Sequence, residues 1–268
     1  MPEEKGDIFS NLVPGYEGVA KFYDLFADNS DIPFYLKYAR KTGSPILDLA
    51  GGTGRVAFAL AQDGFEVTIL DNSPSMLAVA RKKLERISND IAKRITLIEG
   101  NMASFKIAQK FALIIIPNSF GHALTPEDQL ATLCCIKSHL RDNGLFILDL
   151  FVGEHQYAHA LFQDSPAPIE NNQTVERHGE ITSDNNRKLM HLDLHYIIKK
   201  ADGSAVETIE VTSGAALLFK EDVDSLLRTS GFGVTEELGG FNEEFYTVES
   251  GRRILILKKS REKTSKGD

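Results

Sequence analysis

The stretch ILDLAGGTGRVAFALA, residues 46–61, sets one acidic residue, Asp48, inside an apolar run and follows it with three glycines. Gly52-Thr53-Gly54-Arg55-Val56-Ala57 fits the G-x-G-x-x-A turn that links a strand to a helix at dinucleotide sites. Such a turn holds a diphosphate against backbone N–H groups at a helix N-terminus. A carboxylate at its mouth opposes that charge and attracts a cationic one instead.

Reading outward, PILDLA gives the first strand, and a helix leaves the glycine turn at Arg55. EVTILD is a second strand ending at Asp71; Ser73 and Pro74 then cap and open a helix to about Ile87. RITLIEGN and FALIIIPN are the third and fourth strands, the latter apolar as buried parallel strands are. Thr125-Pro126 opens the next helix, to about Leu140, and Asp142-Asn143-Gly144 turns the chain into a fifth strand, LFILDLF. Strand and helix alternate throughout, which predicts an α/β, doubly wound, Rossmann-like sheet.

The pattern then changes. Residues 173–219 read as long alternating strands with a turn at Ala201-Asp202-Gly203, an antiparallel β insertion before the last helix. That helix covers residues 220–230 with Gly231 as its cap, and two strands close the chain. Upstream, residues 16–41 read as one or two helices, with Tyr16 and Tyr23 seven apart on one face. The expected organisation is a helical cap (1–44), a core (45–151 and 219–260), the insertion (152–218) on the substrate side and a tail (261–268).

The net charge of −8 over 268 residues offers no footprint for a phosphate backbone, so nucleic acid is not an expected partner. The longest apolar run is a strand's length, too short for a membrane span, and no secretory leader is visible. Cys134 and Cys135 are neighbours without zinc spacing and read as buried free thiols, which places the protein in the cytoplasm.

S-adenosylmethionine has the chemistry that the glycine turn asks for: no phosphate, an ammonium for Asp48, a ribose for Asp71 and an adenine for Asn101 and Met102 at the end of the third strand. ILDLAGGTG, VTILDNSPSMLAVARKKL, IEGNMASF, FALIIIPNSFGHALTPEDQL and HLRDNGLFILDLF, in that order, resemble the class I S-adenosylmethionine-dependent methyltransferases. The resemblance implies a seven-stranded sheet with a final antiparallel strand. It also implies cofactor contacts from Tyr23, Asp48, Ala50, Gly51, Gly52, Gly54, Asp71, Asn72, Met76, Asn101, Met102 and Asn118. Many members carry Asp where this chain has Asn101; an amide can still accept from the adenine amino group. With GYEGVAKFYDLF, NSFGH and the insertion, the chain is most similar to small-molecule members related to amino-sugar N,N-dimethyltransferases and glycine N-methyltransferase.

Methyl transfer needs donor and acceptor aligned in a shielded site, plus a base where the acceptor must lose a proton. His122, in the loop after the fourth strand, is the first candidate, and Tyr16 the second. The expected acceptor is a small molecule, nitrogen favoured over oxygen. A NAD(P)-dependent oxidoreductase, from the literal glycine match and Asp71, and a non-catalytic cofactor-binding module are the alternatives. Arg40 and Arg55 can each reach a cofactor carboxylate or lie in solvent, and Glu154, His155 and Tyr157 follow the fifth strand toward the substrate. His191, Asp193 and His195 share a strand face, but no further ligand accompanies them, so no metal is expected. The insertion offers a homodimer surface.

Overall fold

The computed structural model describes residues 7–151 and 158–260, so Glu154, His155 and Tyr157 lie outside the described residues. The chain begins with α1 (Ala20–Tyr23) and α2 (Ile32–Thr42), then alternates β1 (Ile46–Leu49), α3 (Arg55–Gln62), β2 (Val67–Asp71), α4 (Pro74–Leu84), α5 (Asn89–Ala92) and β3 (Ile95–Glu99). β4 (Phe111–Ile116), a 3-10 turn (Phe120–His122), α6 (Pro126–His139) and β5 (Leu140–Phe151) follow. Next come β6 (His159–Gln163), β7 (Ala167–Ile169), β8 (Gln173–Asp184), β9 (Leu189–Lys199) and β10 (Ala205–Ala216), before α7 (Lys220–Ser230), β11 (Phe232–Leu238) and β12 (Arg252–Lys259).

Seven strands form one sheet in the order β11-β12-β5-β4-β1-β2-β3. Pairing is parallel from β5 to β3, while β12 runs antiparallel to both β5 and β11. Every residue of β1, β2 and β4 is buried, because helices cover both faces, and this is why those strands read as unbroken apolar runs. Side chains alternate between the two layers: Leu113 and Ile115 enter the core with α2 and α3, Ile114 and Ile116 the core with α6 and α7. A second, antiparallel sheet runs β10-β9-β8-β6, with β7 also on β8, and its inner residues Val175, Leu194 and Tyr196 pack on Val19 and Phe22 of the N-terminal segment.

The helix caps are where the sequence puts them. Ser73 accepts from the Met76 N–H and Thr125 from the Asp128 N–H, and Gly231 ends α7 in the left-handed region. Four details differ. Tyr16 is not helical; Gly15 and Gly18, both at positive φ, loop the chain ahead of α1, yet the Tyr16 and Tyr23 rings still meet at 5.3 Å. The Asp142-Asn143-Gly144 turn is absorbed into β5, which starts at Leu140 and shifts register against β4 between Phe111 and Leu113, a bulge accommodating the extra residues. α4 stops at Leu84, three residues short of its expected end. Cys134 is exposed and Cys135 half-buried, so the pair is not buried as expected: α6 turns Cys134 away from the sheet. No helix among the described residues is long and apolar enough to cross a membrane.

Gly54 shows how tightly the glycine turn is packed. It caps α3 at φ +78°, and a Cβ there would stand 2.7 Å from Ile69 Cδ1 and 2.8 Å from the Phe58 ring. Gly54→Ala is expected to lower stability by about 2–4 kcal/mol, combining left-handed strain with overpacking. Urea unfolding of the variant checks this, and an unchanged midpoint would contradict it.

Candidate active site

A cavity of about 460 Å³ opens along the sheet edge where the parallel strands end, the edge at which open α/β sheets take ligands. Tyr16, Tyr23, Asp48, Ala50, Gly51, Gly52, Asp71, Asn72, Met76, Asn101, Met102, Asn118 and His122 all line it. Gly54 does not. It lies behind the turn against Ile69 and Phe58, so it shapes the loop rather than touching the cavity.

Two carboxylates lie beneath the turn, and one of them holds it. Asp71 Oδ2 accepts the Gly52 N–H and its Oδ1 the Ser73 N–H, each at 2.8 Å. Asp71 is therefore buried rather than at an exposed strand end, and it splints the loop. Burial raises its carboxyl, and the backbone donors of Ser73, Gly52 and Asn72 oppose that rise. Asp48 differs: its Oδ1 is buried without any hydrogen-bond partner. Burial pushes its carboxyl up to about 7, against the lowering effect of Arg55 and with a further rise from Asp71. A Cβ on Gly51 would stand 2.8 Å from Asp48 Cγ, so glycine alone leaves that carboxyl open from above. Gly52 gives similar clearance, its missing Cβ 2.9 Å from Met76 Cε.

At the end of β3, Asn101 Oδ1 accepts the Ala103 N–H at 2.8 Å. Its oxygen already serves a local turn, so the side chain offers the cavity its NH₂ more freely than the acceptor the sequence suggested. His122 sits in the 3-10 turn after β4, and burial lowers its imidazole to about 4. Burial raises Tyr16, with Arg177 opposing, and pushes Tyr23 up to about 12. At neutral pH all three are uncharged.

Arg55 lines the cavity, and both its terminal nitrogens pair with Asp31, so it does not simply lie in solvent. Arg40 pairs with Asp63 at the surface, outside the cavity. The His191-Asp193-His195 face also lies outside: His191 packs beside Phe9 and His195 faces Glu210 at 3.4 Å. Among the described residues no group of three ligands could hold a metal.

The structure adds residues that the sequence reading missed. Asp149, near the end of β5, is buried and accepts from Arg252, and it faces the Tyr35 hydroxyl at 3.4 Å. Phe26, Phe151, Phe241 and Arg177 complete this half of the cavity. Asp149 had a signal, an acid inside an apolar strand like Asp48. Arg252 and Phe241 had none, since only the antiparallel register of β12 on β5 brings them there.

Residues 46–144 match the family described as a methyltransferase domain. A glycine/sarcosine N-methyltransferase of Aphanothece halophytica is 32% identical over 123 residues, 45% of this chain and 46% of that one. A cypemycin N-terminal methyltransferase of a Streptomyces species is 26% identical over 220 residues, 81% and 84% of the two chains. The solved sugar N-methyltransferase KedS8 of Streptoalloteichus superposes with a TM-score of 0.72 at 17% identity, over 97% of this chain and 99% of its own. The chain thus carries a methyltransferase domain within a methyltransferase fold.

That domain match sets aside the nicotinamide reading, and the cavity fits S-adenosylmethionine: among the described residues six aspartates and no lysine line it against three arginines, and Asp48 Oδ1 lacks a partner. Asp48→Asn should therefore act in opposite directions on the methyltransferase. Its folded value stands above the ordinary carboxylate value, so the folded chain keeps a proton that the unfolded chain gives up. Apo stability thus falls as pH rises from about 4 to 7. The amide should remove that slope and raise apo stability at pH 8 by roughly 1–3 kcal/mol, the scale of an unsatisfied buried group. It should also weaken S-adenosylhomocysteine binding about 10–100-fold, the worth of a hydrogen bond to a charged group. Thermal melts and calorimetry check the pair; a variant less stable than the parent, or one with unchanged affinity, contradicts it.

Proposed function

We propose that the enzyme methylates an amine nitrogen of a small molecule. The observation that carries this reading is the weakness of the bases facing the acceptor. His122 is the one histidine lining the cavity among the described residues, and with its imidazole near 4 it cannot deprotonate a hydroxyl efficiently. Tyr16 is held protonated, which makes it no better. A neutral amine carries its own lone pair and needs only orientation. The glycine/sarcosine, cypemycin N-terminal and sugar N-methyltransferases above also act on nitrogen, each on a different molecule.

In this reading Asp48 takes the ammonium of the cofactor's amino-acid end, over the backbone of Ala50, Gly51 and Gly52. Asp71 keeps a lone pair on each oxygen for the ribose hydroxyls, with Asn72 and Met76 alongside. Asn101 and Met102 flank the adenine, and Tyr23 and Asn118 close the methionine portion. Bound there, S-adenosylmethionine supplies a methyl on a sulfonium sulfur that keeps the bonding electron pair as the methyl passes to nitrogen. His122 accepts a hydrogen bond from the acceptor N–H and aims its lone pair, while the proton of the product goes to water. Tyr16 and Tyr23, ring against ring, shield this step from solvent. The same reading keeps the enzyme in the cytoplasm and makes the insertion sheet its dimer surface.

His122→Asn should lower kcat about tenfold or less while S-adenosylhomocysteine affinity stays, because an orienting contact is lost and not a base. Between pH 6 and 9, kcat/KM should rise with the free-amine fraction of the acceptor in parent and variant alike. An inflection near pH 6–7 in the parent that vanishes in the variant would show that His122 takes the proton, and would remove the ground for preferring nitrogen.

A further inference from the structure

Among the described residues three arginines line the cavity, and they are not equivalent. Arg55 has both terminal nitrogens on Asp31. Arg177 is bound through Nε to Asp164 and also engages Tyr196, with its guanidinium 4.8 Å from the centre of Phe26 and 5.6 Å from that of Phe162. Arg252 lies closer to its two rings and, among the described residues, has a single polar partner. Its guanidinium lies against two aromatic rings, 4.6 Å from the centre of Phe151 and 4.8 Å from that of Phe241. Only Nη1 is engaged, on Asp149 Oδ1, so Nε and Nη2 have no partner among the described residues. Such packing fixes the plane of the fork while leaving donors to spare, the arrangement that recognises an oxyanion.

The sheet supplies a ruler. Asp48 is on β1, His122 follows β4, Asp149 is on β5, and Arg252 lies on β12 in register with Phe151. Neighbouring strands are about 4.8 Å apart, so Arg252 stands one to two spacings beyond the position where His122 meets the acceptor nitrogen, about 5–10 Å. We infer that the acceptor carries a carboxylate or phosphate, taken by Arg252, about 5–10 Å from the nitrogen that is methylated. The inference rests on the amine reading above and narrows it: the span is too long for an α-amino acid and suits an amine and an acid at opposite ends of a short chain or a sugar ring. Asp149 behind Arg252 keeps this end near neutral, so the anion aids binding without excluding uncharged amines.

The test is a matched set of acceptors: glycine, 4-aminobutyrate, 6-aminohexanoate, 3-aminopropyl phosphate, and the amino alcohols of the same chain lengths. Formation of S-adenosylhomocysteine gives kcat/KM for each. The longer acids should exceed both glycine and their alcohols by about 10–100-fold, the worth of a hydrogen bond between charged groups. Arg252→Gln should close the gap between acid and alcohol, and Arg252→Lys should restore part of it; melting curves confirm that both variants fold. The phosphate, compared with the carboxylates, tells which oxyanion is preferred. A gap that survives Arg252→Gln, no gap at all, or glycine as the best acceptor overturns the inference. If no amine is methylated by enzyme that binds S-adenosylhomocysteine, the amine reading fails by itself. Calorimetry of 6-aminohexanoate with the S-adenosylhomocysteine-saturated protein then decides the anchor: binding lost in Arg252→Gln supports it, and binding unchanged in the variant or absent in the parent overturns it.

Discussion

A buried carboxylate with one oxygen left unpartnered governs this structure. Asp48 stands at the end of a fully buried strand, beneath a turn whose glycines leave it uncovered, and one of its oxygens bonds to nothing in the protein. Burying such a charge costs several kcal/mol, and the chain escapes part of that cost by holding the group partly protonated near neutrality. Stability alone would favour an amide or an apolar residue there. A cationic ligand changes the balance, because its ammonium supplies the missing partner and lets the carboxyl ionise.

Much of the surrounding fold keeps that uncovered group in place. Asp71 splints the glycine turn from the neighbouring strand. The N-terminal segment braces it from the other side: the Thr53 hydroxyl donates to Asp24 at 2.6 Å, Lys83 bridges Asp24 and the Thr53 carbonyl, and Ser73 donates to Glu17. The Arg55–Asp31 fork joins α3 to the start of α2. These contacts tie the segment that carries Tyr16 and Tyr23 to the loop beneath it, so the lid and the floor of the cavity form one polar network.

How far this was legible in the sequence follows from how local each signal is. The parallel strands announce themselves as apolar runs because both faces are covered, and the caps at Ser73 and Thr125 are local chemistry with local partners. The half of the cavity that we assign to the cofactor is built from strand ends and the turns after them, so Asp48, Asp71 and Asn101 could be named in order along the chain. The acceptor half could not. Arg252 and Phe241 reach the cavity only because β12 inserts between β5 and β11, a long-range pairing that no window of sequence displays. Tyr16 was placed correctly for the wrong reason: two glycines at positive φ, and not a helix face, bring it to Tyr23. Arg55 was left open between cavity and solvent because its partner, Asp31, lies 24 residues earlier in a different element.

The central claim is that Asp48 awaits a cation, and its own titration tests that most directly. Carbon-detected NMR of the Asp48 carboxyl, followed against pH, should give an apparent value near 7 in the apo protein. Saturation with S-adenosylhomocysteine should bring it back to the ordinary carboxylate range, as the ammonium stabilises the charged form. A carboxyl that already titrates in the ordinary range without ligand, or one that stays near 7 when ligand is bound, would contradict the account.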